Sequence, residues 1–142
     1  MKTSARNQFS GVIAQATAGA VNDEIIINVD GGQQIVATVT HDSAARLGLK
    51  AGAKATALVK ATSVIVMVDA DASKVSARNF VSGKVTNLTK GAVNTDVTIT
   101  GDNGVAVSAI ITNTSVDRLG LAVGKQAAAM FKASSVIVGV DG

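Results

Sequence analysis

Apolar positions along the chain come in short β-branched runs cut by small polar residues. In the first half, Gly11–Ala18, Glu24–Val29, Gln33–Thr40, Ala53–Lys60 and Ser63–Val68 are such runs, each of strand length. Gly19-Ala20, Asp30-Gly31-Gly32 and Lys50-Ala51-Gly52 separate them as turn signals. One stretch reads as helix, Asp42–Leu47, with Thr40 or Asp42 as the capping residue and Gly48 at its end.

The second half repeats the first. Ser4-Ala5-Arg6-Asn7 returns as Ser76-Ala77-Arg78-Asn79, an offset of 72 residues that holds without a gap to the end of the chain. Gly19-Ala20-Val21-Asn22 matches Gly91-Ala92-Val93-Asn94, and Arg46-Leu47-Gly48-Leu49 matches Arg118-Leu119-Gly120-Leu121. Lys60-Ala61-Thr62-Ser63-Val64-Ile65-Val66 matches Lys132-Ala133-Ser134-Ser135-Val136-Ile137-Val138, and about half of all aligned positions are identical. The second helix is expected over Ser115–Leu119, capped by Thr112 or Thr114 and stopped by Gly120. Asp102-Asn103-Gly104 reads as a type I′ hairpin turn.

Five strands with one short helix between the third and fourth is the pattern of an OB-type Greek-key barrel. The expected fold is therefore all-β, with two tandem five-stranded barrels. The first module is assigned residues 1–69, the second 76–142, and the polar stretch 70–75 a linker, with Asp69–Ser73 as the expected hinge. Modules this small, rich in Val and poor in rings, are expected to finish burying their surface against copies of themselves.

Composition narrows the chemistry. Among 142 residues there is no Cys, Trp, Tyr or Pro, three Phe (Phe9, Phe80, Phe131) and one histidine, His41. That excludes disulfides, thiolate metal sites and Cys nucleophiles, and removes His-cluster metal centres. His41 aligns with Asn113, so one module does without it, and no carboxylate pair or phosphate-loop fingerprint stands out. No catalytic residue and no cofactor is expected. The net charge of +3 tolerates an anionic ligand without announcing nucleic acid. An OB-fold protein that binds single strands, the alternative reading, needs aromatic platforms beside basic residues, which this composition lacks. No apolar run exceeds five residues, as in Val64–Val68, so no membrane partner is expected. The N-terminal stretch that faintly mimics a signal peptide recurs mid-chain, which makes it architecture, and a cytoplasmic location is expected.

What remains is the binding of a small anion, which needs converging N–H and O–H donors and a cation. Ser-Ala-Arg-Asn supplies a hydroxyl, a guanidinium, an amide and backbone donors at the start of a strand. Lys-Ala-Thr-Ser and Lys-Ala-Ser-Ser supply a cation and small hydroxyls at the bend before the fifth strand. Both also read as ordinary polar turns. Arg46 and Arg118 fit the last turn of each helix, and Gly-Ala-Val-Asn can equally be a bare turn with Asn in left-handed geometry.

Together, the opening SARN, the G-A-V-N turn (Lys90 precedes it in the second copy), R-L-G-L and the closing K-A-[ST]-S-V-I-V resemble the Mop or molbindin family, the molybdate-binding domains also called TOBE domains. The resemblance covers nearly the whole chain. It implies OB-fold barrels assembled as a ring of six modules, hence a homotrimer of this two-module chain. It further implies cytoplasmic storage and homeostasis of molybdate at interfaces between modules; tungstate, being isostructural, is expected to bind nearly as well, and the smaller sulfate poorly. One kind of site would be built by Ser4, Ala5, Arg6 and Asn7 with Lys132, Ala133 and Ser135, and reciprocally by Ser76, Ala77, Arg78 and Asn79 with Lys60, Ala61 and Ser63. A second kind, near the threefold axis, would be built by Gly19, Val21 and Asn22 and by Gly91, Val93 and Asn94. The two halves depart from each other there: Ala18 stands where the second has Lys90, and His41 where it has Asn113.

Overall fold

The computed structural model describes residues 1–141. The expected alternation gives β1 (Asn7–Thr17), β2 (Asn22–Val29), β3 (Gln34–Thr40), α1 (His41–Leu47), β4 (Lys54–Val59) and β5 (Ile65–Met67). The second copy gives β6 (Asn79–Lys90), β7 (Asn94–Gly101), β8 (Ala106–Thr112), α2 (Asn113–Leu119), β9 (Gln126–Phe131) and β10 (Ile137–Gly139). Single 3₁₀ turns lie at Asp30–Gly32, Ala61–Ser63, Ala72–Lys74 and Ala133–Ser135.

These strands form two antiparallel five-stranded sheets, ordered β10-β4-β1-β2-β3 and β5-β9-β6-β7-β8. Each curls until its outer strands approach, β10 against β3 and β5 against β8, giving the two barrels. The fifth strand of each barrel comes from the other repeat. Ile65 to Met67 pair with Met130 to Ala128, and Ile137 to Gly139 pair with Leu58 to Thr56. The chain thus passes from one barrel to the other at Lys60–Val64 and returns at Lys132–Val136. The polar stretch near residue 70 joins β5 to β6 within one sheet. It is an ordered turn, in which Asp71 Oδ1 accepts from the Ser73 N–H (3.0 Å) and hydroxyl (2.7 Å). The sequence repeat and the barrel are consequently different units.

Alternation buries one face of each strand, for example Ile25, Ile27 and Val29 on β2 and Ala127, Ala129 and Phe131 on β9. The buried residues of both barrels form one continuous cluster, so exchanging strands joins two undersized cores. Where β1 pairs with β2 a Cβ on Gly11 would overlap the Asn28 carbonyl, and where β6 pairs with β7 one on Gly83 would overlap the Thr100 carbonyl. Only glycine lets the strands approach there.

Both helices are capped by the threonine that ends the preceding strand. Thr40 Oγ1 accepts from the Ser43 N–H and Thr112 Oγ1 from the Ser115 N–H, each at 3.1 Å. Gly48 (φ 65°) and Gly120 (φ 63°) end them in left-handed geometry. The hairpin at Asp102-Asn103-Gly104 departs from the type I′ expectation. The Gly104 N–H donates to the Gly101 carbonyl at 2.9 Å, and positive φ is confined to Gly104 (87°). It is a type I turn followed by a left-handed glycine, the three-residue hairpin solution. Asn22 and Asn94 likewise begin β2 and β7 without left-handed geometry. β1 also starts at Asn7, four residues before the expected Gly11, because polar Asn-Gln-Phe-Ser pairs with β4 as backbone (Asn7 opposite Val59) whatever its side chains.

Candidate functional site

Pairing of β1 with β4 and of β6 with β9, Asn7 opposite Val59 and Asn79 opposite Phe131, carries the two donor-rich motifs to the same places. Thr3, Ser4, Ala5 and Arg6 line a cleft of about 420 Å³ with Lys60, Ala61 and Thr62. Its walls are completed by Leu58, Ile110 and Ile137. Lys74 to Arg78 line a second cleft, of about 650 Å³, with Lys132, Ala133 and Ser134. Its walls include Met130, Thr38 and Ile65, each 72 residues from its counterpart in the first cleft. The clefts are therefore equivalent under the internal repeat.

Within one chain the SARN segment faces the K-A-[ST]-S turn of its own repeat, and the other repeat contributes two walls to each cleft, Ile110 and Ile137 to the first and Thr38 and Ile65 to the second. The expected facing across repeats, Ser4–Asn7 with Lys132–Ser135, is not formed within the chain's own two clefts. The turns themselves suit an anion. Ser63 N–H donates to the Lys60 carbonyl and Ser135 N–H to the Lys132 carbonyl, both at 2.9 Å. The i to i+3 pattern of a one-turn 3₁₀ segment leaves the N–H groups of Ala61, Thr62, Ala133 and Ser134 outside it. Ser63 and Ser135 are half-buried behind these turns, and Thr62 and Ser134 take the exposed positions.

Each cleft arginine is held by a carboxylate from the other repeat. Arg78 Nη1 and Nη2 donate to Glu24 Oε2 (3.0 Å) and Oε1 (3.2 Å), a two-pronged pair. Arg6 pairs with Asp96. Glu24 and Asp96 occupy equivalent positions in β2 and β7. The only trace of them in the sequence is an acid at the same place in both repeats, 72 residues apart.

The SARN asparagines point elsewhere. Asn79 is fully buried, with Oδ1 accepting the Val36 N–H (2.7 Å) and Nδ2 donating to the Val36 carbonyl (2.8 Å). Asn7 makes the same pair of bonds with Ser108, both at 2.8 Å, and Nδ2 also donates to the Val59 carbonyl at 3.2 Å. Their side chains serve the fold.

The G-A-V-N turns stand apart from both clefts and present Val21 (74% exposed) and Val93 (69% exposed). The Val21 and Val93 carbonyls accept the His41 and Asn113 N–H groups, each at 2.9 Å. Behind the first turn His41 Nδ1 meets Asp23 Oδ1 at 2.9 Å, and that oxygen also accepts the Gly19 N–H at 3.1 Å. The hydrogen bond between them is the chief cause that raises the His41 pKa above its ordinary value and lowers that of Asp23. Behind the second turn the equivalent pair is uncharged: Thr95 Oγ1 donates to Asn113 Oδ1 at 2.6 Å, and Asn113 Nδ2 to the Gly91 carbonyl at 3.0 Å. Among the described residues no group of three His, Cys, Asp or Glu is placed to hold a metal ion, and no helix is long and apolar enough to cross a membrane.

Fold and clefts together define a double OB-type barrel with two equivalent cationic clefts. The TOBE domain model matches residues 3–66 and again 75–138, and the chain belongs to that family, carrying the domain twice. Among curated relatives, the molybdenum transport protein ModE of Herbaspirillum seropedicae is 44% identical over 141 residues, covering 99% of this chain and 52% of the relative. The molybdenum-pterin-binding protein MopA of Rhodobacter capsulatus is 40% identical over 138 residues, covering 97% and 52%. The chain thus spans about half the length of the curated relatives it matches. A crystal structure of the cytoplasmic molybdate-binding protein ModG with molybdate bound superposes with a TM-score of 0.93 at 42% identity, covering 99% of this chain and 100% of that one.

Proposed function

We propose that this chain binds molybdate, and tungstate with it, as a non-enzymatic cytoplasmic store that buffers the oxyanion. The observation that carries the reading is the pair of repeat-related clefts, in each of which an arginine and a lysine converge beside small hydroxyls and a one-turn 3₁₀ segment. The likeness to ModG over the whole chain supports the same reading. Molybdate is a tetrahedral dianion at neutral pH, and charge-assisted N–H and O–H donors suit it.

Both clefts are open and several times larger than such an anion, and desolvating a dianion in a half-built site is costly. A second chain closing over each cleft supplies the missing wall. Ile65 (54% exposed) and Ile137 (61% exposed) line the two clefts, apolar surface of the kind that a neighbouring chain covers. On this reading three chains form a ring of six modules. The SARN segments and lysine turns make one kind of site, and the G-A-V-N turns, with Val21 and Val93 exposed, make a second near the axis.

The test is elemental analysis of the purified protein, equilibrium dialysis against molybdate and measurement of mass in solution. Saturable binding by a particle of three chains is expected, with competition by tungstate and little by sulfate. Absence of saturable molybdate binding overturns the reading. Tight, salt-sensitive capture of a labelled single strand in its place would favour the nucleic-acid alternative.

A further inference from the structure

We propose that Glu24 and Asp96 set the anion affinity of the two clefts, by holding Arg78 and Arg6 as internal counter-ions with which an entering dianion competes. The inference rests on the anion-binding reading of the clefts and adds affinity-setting residues that lie outside both motifs.

Each arginine belongs to a cleft wall, yet a carboxylate already engages it, at both terminal nitrogens of Arg78 and at Nη2 of Arg6. The arrangement occurs twice, at positions related by the repeat, with a longer acid in one half and a shorter one in the other. A guanidinium has five N–H donors in a planar fork. A carboxylate on the terminal edge takes the geometry that best fits a second oxyanion. It also places a negative charge beside the position where a dianion has to sit, and the two repel.

The Asp96 carboxylate is costly where it stands. Its side chain is 20% exposed, and Oδ1 is buried without a hydrogen-bond partner. A half-buried acid that satisfies one oxygen and leaves the other buried without a partner is a poor choice for stability alone. It is a sensible choice for a cleft that must give its anion back, because the carboxylate reclaims the arginine as the dianion leaves. Glu24, more exposed and bidentate, does the same in the other cleft.

The test is calorimetric titration of the two-repeat chain with sodium molybdate, comparing wild type with Glu24→Gln, Asp96→Asn and the double variant. Gln and Asn keep the shape and a hydrogen-bonding carbonyl, and remove the charge. Asp117→Asn, an exposed change on α2 that lines neither cleft, controls for net charge. Each cleft variant is expected to bind about three- to tenfold more tightly than wild type, with slower release and a larger effect in the double variant. Should Asp96→Asn fail to fold, Glu24→Gln decides the matter alone. Affinities unchanged, weakened or matched by Asp117→Asn overturn the proposal while the anion reading stands. Absence of binding in wild type and variants alike overturns both.

Discussion

Asn79 closes the edge of the opposite barrel by pairing with Val36 through both ends of its side-chain amide, at 2.7 and 2.8 Å. Val36 lies on β3, an outer strand of its sheet. The asparagine amide thus imitates a neighbouring peptide where the sheet has run out. Asn7 does the same for Ser108 on β8. The last letter of SARN is therefore a joint between barrels, and it fixes the arginine one residue earlier at the mouth of its cleft.

Asn79→Ala is expected to destabilise the protein by about 2–4 kcal/mol, since it orphans a buried N–H and a buried carbonyl together. Urea unfolding followed by circular dichroism measures it. A loss under about 0.5 kcal/mol, the range of ordinary surface changes, would show that water replaces the amide and that the joint is unimportant.

Much of this was legible in the sequence. The repeat, the β-branched alternation, and the helix bounded by Thr40 and Gly48 follow from local rules that the fold obeys. Strand exchange was not legible, because the repeat makes β4 and β9 near-equivalent partners for Ile65–Met67. No local pattern says which of two similar strands a third will join. The cleft motifs announced themselves by their donors. Glu24 and Asp96 did not, since an acid in an alternating strand looks like any solvated position. Nor did the asparagines, whose burial depends on an edge strand supplied by the other half of the chain.

The first repeat alone, residues 1–75, lacks the β10 strand that completes its barrel and carries a β5 that it does not itself use. Two copies can each lend β5 to the other's β4. The fragment is expected to be folded only as a self-associated species, with a melting temperature that rises with protein concentration. Sedimentation alongside thermal melts checks this, and a folded monomer with a concentration-independent melt would contradict it.

The Asp23–His41 pair makes the first G-A-V-N turn sensitive to pH where the second, with Thr95 and Asn113, is not. His41 titrates above its ordinary 6.5, so its contribution is full below 6.5 and lost as pH rises through the raised value. Asp23 titrates below its ordinary 3.8, so its contribution is full above 3.8 and lost as pH falls through the lowered value. Stabilisation by the pair is greatest between these limits. Relative to the double variant Asp23→Thr/His41→Asn, which installs the second module's pair, wild type is expected to gain thermal stability at pH 5.5 and lose that advantage by pH 8.5. Parallel pH profiles for the two proteins would remove the pair from any pH response.

Lys60 and Lys132 are exposed, one in each cleft, and follow the strands that carry the core, so truncating them leaves the barrels intact. Hydrogen bonds to charged groups contribute about 1.5–3 kcal/mol, which corresponds to about ten- to a hundredfold in affinity. Lys60→Ala with Lys132→Ala is expected to weaken molybdate binding in the cleft sites by that order, with an unchanged unfolding transition in the absence of anion. Lys50→Ala, which removes an exposed charge outside both clefts, is expected to change affinity little. Equilibrium dialysis at constant ionic strength separates the cases. If the double variant binds as wild type does, the lysines serve the surface charge alone, and the anion is held by arginine, hydroxyls and backbone N–H groups of the same clefts. If binding falls while the melting temperature also falls without anion, the lysines act through the fold. A loss of affinity on an unchanged scaffold is the outcome that assigns them to the ligand.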